Sequence, residues 1–177
     1  YSFRLILKSN SNLVYSTNHD SLTSAMNITF FERQLSEILP EEKDCCVAAI
    51  NIHQFKFINE VFVQQYGNDL LQAIKSILDD SLEDGEFFCR YNADSFYLYL
   101  NSSSRPEVTG RIQHIFEQIS HWSWQNQKTY QILMYAGVVK IDRLSEYHAQ
   151  KTQAILIHLL FALDKARELP AGAVWFY

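Results

Sequence analysis

Apolar residues along this chain recur first at helical and then at strand spacing, and the alternation of the two periods predicts an architecture. Phe30, Phe31, Leu35, Ile38 and Leu39 fall three or four residues apart, which predicts a helix over residues 28–39, stopped by Pro40. Cys45–Ile52 is a short continuous apolar run, the pattern of a strand buried on both faces. Leu70, Leu71, Ile74, Ile77, Leu78 and Leu82 form the inner stripe of a second helix over residues 64–82. Residues 86–91 and Ser95–Leu100 are aromatic-rich and close enough to make a hairpin around Asn92 and Ala93. Ser104 as N-cap, Pro106 in the first turn and Glu107 as capping-box partner announce a helix to about Ser120. Residues 129–141 read as a strand or a bent strand pair, 151–168 as a helix and 174–177 as a terminal strand, while 4–15 suit a connecting helix. This order predicts an α/β (α+β) fold: a central mixed sheet flanked by helices, with a ferredoxin-like βαββαβ core.

Composition narrows the function classes. The 177 residues have the length of one domain, and 47% hydrophobic with 14% aromatic content supplies an ample core. A net charge of −5 without any run of Lys or Arg argues against nucleic-acid binding. No apolar run reaches the roughly 18 residues of a membrane span. Cys45, Cys46 and Cys89 lie in apolar or aromatic runs and are expected to be buried, reduced thiols. The six His residues are scattered, without zinc spacing.

Four blocks of residues carry a resemblance. They are Asp20-Ser-Leu-Thr23 with Asn27; Asn51-Ile-His-Gln-Phe-Lys56 with Ile58-Asn59 and Gly67-Asn68; Arg90-Tyr-Asn-Ala-Asp-Ser-Phe96; and Ala136-Gly137-Val138 with 162–167 and Val174-Trp-Phe-Tyr177. In order and spacing they resemble the signature segments of GGDEF domains, which make cyclic di-GMP from two GTP molecules held between facing domains. Residues 17–177 are thereby read as a degenerate GGDEF domain, and 1–16 as a connecting segment from a missing upstream region.

What the resemblance implies can be set against chemistry, residue by residue. The family's two metal carboxylates fall on Asn51 and Ser95. Mg²⁺ prefers charged oxygen ligands, so its binding is expected to be weak or absent, and no cofactor or metal ligand is assigned. The turn glycines fall on Asn92 and Ala93, where Ala93 brings a methyl group toward the phosphates and Asn92 tolerates left-handed geometry. Asp94 keeps an acidic group, and Arg90 is expected to pair with it locally. Of two phosphate-contacting cations, one is kept as Arg167 and one is lost at Ala171. Asn59 keeps a guanine contact, whereas Asn68 replaces an Asp and offers guanine one acceptor oxygen. Asn51, Asn59, Asn68, Asn92, Ala93, Asp94, Ser95 and Arg167 then make up a vestigial nucleotide pocket, with no catalytic residue. At the family's product-inhibition site, an arginine-led R-x-x-D, this chain has Glu83 and Glu86, so charge disfavours cyclic di-GMP there.

The expectation is that the domain is not an enzyme but a catalytically inactive regulatory domain of a cyclic di-GMP signalling protein in a bacterium. It would modulate a linked EAL phosphodiesterase domain, with weak GTP binding. The alternatives are a dimerisation or protein-interaction module that binds no nucleotide, and a residually active diguanylate cyclase. The partners implied are the EAL domain, an upstream sensor or membrane region and a second copy, with no nucleic acid. The domain is expected in the cytoplasm, and the full-length protein at the inner membrane.

Overall fold

The apolar run Cys45–Ile52 forms β2, buried at every residue, and the sheet is built outward from it. In the computed structural model, which describes residues 15, 17–39, 44–126, 130–142 and 152–177, β2 pairs antiparallel with β4 (Ser95–Leu100) on one side and β5 (Met134–Ile141) on the other. Strand β3 (Phe87–Arg90) pairs antiparallel with β4. Two short parallel strands complete the sheet: β1 (Met26–Asn27) beside β3 and β6 (Val174–Phe176) beside β5. The order β1-β3-β4-β2-β5-β6 contains the ferredoxin-like core in its middle four strands, and the outer two make the sheet mixed. The predicted fold class is the observed one.

Alternation along the strands divides the core in two. Cys46, Ala48, Ile50 and Ile52 of β2 face α2 (Phe55–Val61), α3 (Gln64–Ser81) and α4 (Arg105–Asn126). Cys45, Val47 and Ala49 face α1 (Ile28–Ile38) and α5 (Thr152–Arg167). Gly137 of β5 lets α5 approach closely, since a Cβ there would stand 2.3 Å from the backbone nitrogen of Leu163. The three cysteines are buried and free, and burial pushes the Cys45 thiol up to about 11 and Cys46 to about 12.

Differences from the predicted elements have local causes. Helix α2 and strand β1 were not predicted, because seven and two residues are too few to set up a period. Helix α4 runs to Asn126 rather than Ser120, because Ser123 stays buried in place of an apolar residue. The Ser123 hydroxyl donates to the Tyr130 carbonyl (3.0 Å) and accepts from Ile132 N–H (3.1 Å), which anchors those last turns. The capping box of α4 is shared. Ser104 Oγ accepts from Glu107 N–H at 3.5 Å, but the Glu107 carboxylate is reached by Ser102. The connecting segment 1–16, apart from Tyr15, and the predicted positions 40, 129 and 151 lie outside the described residues. No helix among the described residues is long and apolar enough to cross a membrane.

Candidate functional site

Strand pairing brings the two positions of interest together. Asn51, next to last in β2, lies directly opposite Ser95, the first residue of β4, and both are buried. Asn51 Nδ2 donates to Ser95 Oγ at 2.9 Å and to the Asp94 carbonyl at 3.2 Å. The Asn51 Oδ1 atom accepts from Arg167 Nε at 3.3 Å, which ties the end of α5 to the end of β2. Arg167 Nη1 donates to Asp164 at 2.7 Å, one turn back on the same helix. Ser95 Oγ also lies 3.4 Å from Asp94 Oδ1 as a donor. Asn51, Asp94, Ser95 and Arg167 therefore form one connected polar group at the β2–β4 end of the sheet.

The hairpin turn is held from beneath by Arg90. Its Nε donates to the Asn92 carbonyl (3.1 Å) and its Nη2 to the Ala93 carbonyl (3.0 Å). Its Nη1 reaches both carboxylate oxygens of Asp20 at 3.1 Å, rather than the Asp94 carboxylate that sequence reasoning proposed as its partner. Burial alone would raise the Asp20 pKa, but hydrogen bonds from Thr23 and Arg90 outweigh it and hold the carboxyl below its ordinary range. The role of Asp20 was missed, although it stood in the first of the four sequence blocks and its partner in the third. Within the turn, Asn92 Oδ1 accepts from Asp94 N–H at 3.2 Å. Among the described residues the non-glycine positive φ angles are at Ser24 (59°) and Gln54 (52°). The turn thus needs no left-handed residue, and Asn92 and Ala93 fit it without strain.

Asn59 of α2 lies against Gly67 of α3, the residue before Asn68. A Cβ on Gly67 would stand 2.2 Å from Asn59 Oδ1, so the missing side chain leaves the space that seats the Asn59 amide. Neither the Asn59 nor the Asn68 side chain makes a hydrogen bond with a described residue.

Glu83 and Glu86 sit elsewhere, beside a polar cleft of about 420 Å³ also lined by His19, Lys75 and Asp79. The Glu86 side chain has no exposed surface and is gripped by both Nη atoms of Arg111 on α4. It also accepts from the backbone N–H groups of Glu83 and Asn101, each at 2.9 Å. The position is a structural ion pair in this chain, and Arg111 gave no sequence signal of it. An apolar cavity of about 470 Å³ between α4 and β5 is lined by none of the eight candidate pocket residues.

The family described as "Diguanylate cyclase, GGDEF domain" matches residues 17–167. This chain belongs to the GGDEF family. Among curated relatives, a cyclic di-GMP phosphodiesterase PdeB of Shewanella oneidensis is 26% identical over 58% of this chain, and a probable diguanylate cyclase DgcE of Escherichia coli is 27% identical over 73%. The chain spans 12% of the length of each, so this GGDEF domain corresponds to one part of much longer proteins. The coiled coil and GGDEF domain of DgcB from Caulobacter crescentus superposes with a TM-score of 0.84 at 16% identity, covering 99% of this chain and 94% of that one. The S helix-GGDEF-EAL chain of LapD from Vibrio cholerae superposes at 0.75 and 19% identity, covering 99% and 40%. These likenesses establish the fold and a place among GGDEF domains of cyclic di-GMP signalling proteins.

They also correct one expectation. That this GGDEF domain is not an enzyme is overturned by its family, which is described as a diguanylate cyclase, and by relatives such as DgcE and DosC of E. coli that carry that name. Asn51 and Ser95 lie opposite each other at one strand end, with Asn51 Nδ2 facing Ser95 Oγ and Asn51 Oδ1 facing Arg167.

Proposed function

We propose that this chain is a regulatory GGDEF domain that takes up a guanine nucleotide loosely and sets the activity of a linked EAL phosphodiesterase domain. The observation that carries the reading is the Asn59 amide, which lies against Gly67 and makes no hydrogen bond to a described residue, with Asn68 following Gly67 in the sequence. An uncommitted carboxamide offers both a donor and an acceptor to a base edge, which is the chemistry guanine presents. Support for the linkage comes from a relative named as a cyclic di-GMP phosphodiesterase and from the LapD chain, whose GGDEF and EAL parts lie on one polypeptide. Mg²⁺ binding in the pocket is weak on this reading, and the Glu83–Glu86 position does not take cyclic di-GMP.

A second reading, that of a protein-interaction surface, is favoured by the outer face of α5. There Ile157, Leu160 and Phe161 are exposed, and Phe161 meets Trp175 and Tyr177 edge-on. Hydrolysis of cyclic di-GMP by the full-length protein, with and without GTP, separates the two. A rate that changes with GTP in the wild type and not in Asn59→Ala supports the nucleotide reading. A GTP-independent rate in both refutes it.

A further inference from the structure

The residues around Asn51 do not suit the divalent cation that the family's chemistry would place there. A hard cation needs oxygen ligands with free lone pairs, preferably charged. The Asn51 oxygen already accepts from Arg167 Nε, and its nitrogen, which has no lone pair to give, faces Ser95 Oγ and the Asp94 carbonyl. Turning the amide over would set Nδ2 against a guanidinium, donor to donor, so Arg167 fixes which way Asn51 points. Arg167 is permanently charged, and a metal ion at Asn51 Oδ1 would sit against it. Among the described residues no three His, Cys, Asp or Glu side chains gather where they could hold a metal.

The same groups present donors to an anion. Arg90 draws the carbonyls of Asn92 and Ala93 inward, and the N–H groups of those two residues make no hydrogen bond to a described residue. Arg167 uses Nε on Asn51 and Nη1 on Asp164, while its Nη2 has no partner among the described residues. Successive backbone N–H groups and a guanidinium are both groups that bind anions. Asp94, bonded to Ser95, and Asp164, bonded to Arg167, are opposing charges that keep affinity low and penalise each further phosphate.

Resting on the guanine-nucleotide reading above, we propose that the phosphates of that nucleotide are held without a divalent cation, with Arg167 supplying the positive charge. Two consequences distinguish this arrangement from a metal-bridged triphosphate. Affinity is independent of Mg²⁺, and GDP binds as well as GTP, because no ion rewards the added terminal phosphate.

The test is calorimetry of GTP and GDP on the full-length protein, in EDTA and in excess Mg²⁺, for the wild type, Asn59→Ala, Arg167→Gln, Arg167→Lys and Asn51→Asp. Wild-type affinity is expected to agree within about twofold between the two buffers and the two nucleotides, a difference well under one tenfold step. Arg167→Gln should weaken metal-free binding about tenfold, the usual size of one charge-assisted hydrogen bond, and Arg167→Lys should restore part of it. Asn51→Asp should neutralise Arg167 and make binding depend on Mg²⁺. Wild-type binding that strengthens about tenfold or more with Mg²⁺, or metal-free binding that Arg167→Gln leaves unchanged, overturns the metal-free arrangement alone. An absence of nucleotide binding in either buffer, or binding that Asn59→Ala does not weaken, overturns the nucleotide reading and this proposal with it.

Discussion

Replacing Glu86 by Ala removes an acceptor that four donors share. Both Nη atoms of Arg111 and the N–H groups of Glu83 and Asn101 converge on that carboxylate, whose side chain is fully shielded from solvent. The variant would leave a guanidinium that is 19% exposed without its counter-charge and two backbone donors without an acceptor. Removing one partner of a buried ion pair costs about 3–5 kcal/mol. At about 2–4 °C per kcal/mol for a domain of this size, the melting temperature should fall by about 6–20 °C. Arg111→Ala should cost less, because Glu86 keeps two backbone donors and can take up a proton. The pH dependence follows from the sign of the shift. Burial works to raise the Glu86 pKa, but Arg111 and the two N–H groups overcome it, so the folded value lies below the ordinary one. Its contribution is complete above the ordinary carboxylate range and fades as pH falls through the folded value. The gap between wild type and Glu86→Gln should therefore narrow on acidification. Melting curves across pH test both points. A Glu86→Ala melting temperature within about 2 °C of wild type, or a gap that widens in acid, would refute the reasoning.

Three further outcomes are expected. Gly137→Ala drives a methyl group into the backbone of α5 at Leu163 and Ala162, where no rotamer can yield, and should cost about 1–3 kcal/mol or more by urea denaturation. Gly67→Ala meets only the end of the exposed Asn59 side chain and adds helix propensity inside α3, so stability should hold or rise by about 0.5–1 kcal/mol while GTP affinity falls. Equal GTP affinity in that variant would show that Asn59 does not touch the base. Cyclic di-GMP should not bind beside Glu83 and Glu86, because an acidic pair stands there and Arg111 is already committed to Glu86. Binding seen by calorimetry and abolished by Glu83→Ala would contradict this.

The fold was legible wherever a period had room to develop. The apolar run of β2 and the stripe of α3 gave their elements within a residue, and the hairpin followed from two aromatic runs around Asn92 and Ala93. The short α2 and β1 were not legible, since their formation depends on what they pack against rather than on their own pattern. At the site, the resemblance to GGDEF domains implied that Asn51 and Ser95 share one place, and the register of β2 with β4 puts them opposite each other. Pairing between distant charges was not legible. Asp20 with Arg90 spans 70 positions and Glu86 with Arg111 spans 25, and nothing in composition links either pair. The same limit misassigned Arg90 to Asp94, its nearest acid in sequence.

Two arginines act near the hairpin, Arg90 from the end of β3 and Arg167 from the end of α5, and the neutral pair Asn51–Ser95 decides how they can act. Two carboxylates at those facing positions would repel each other and require a cation between them. An amide and a hydroxyl satisfy each other at 2.9 Å, so the strand end closes with no ligand at all. That frees the site's cations for other bonds. Arg90 fastens the turn to Asp20 near the start of the domain, and Arg167 fastens Asn51 to the end of α5. On the proposed reading, a phosphate at Arg167 Nη2 would draw on the guanidinium whose Nε holds Asn51, and so bear on the contact between the last turn of α5 and β2. Residues 168–173 join that turn to strand β6, with the N–H of Gly172 bonded to the Met134 carbonyl at 2.7 Å. If the nucleotide binds as proposed, its occupancy would bear on β6 through that one side chain. The coupling can be no larger than the difference in affinity between the tied and released states of Arg167.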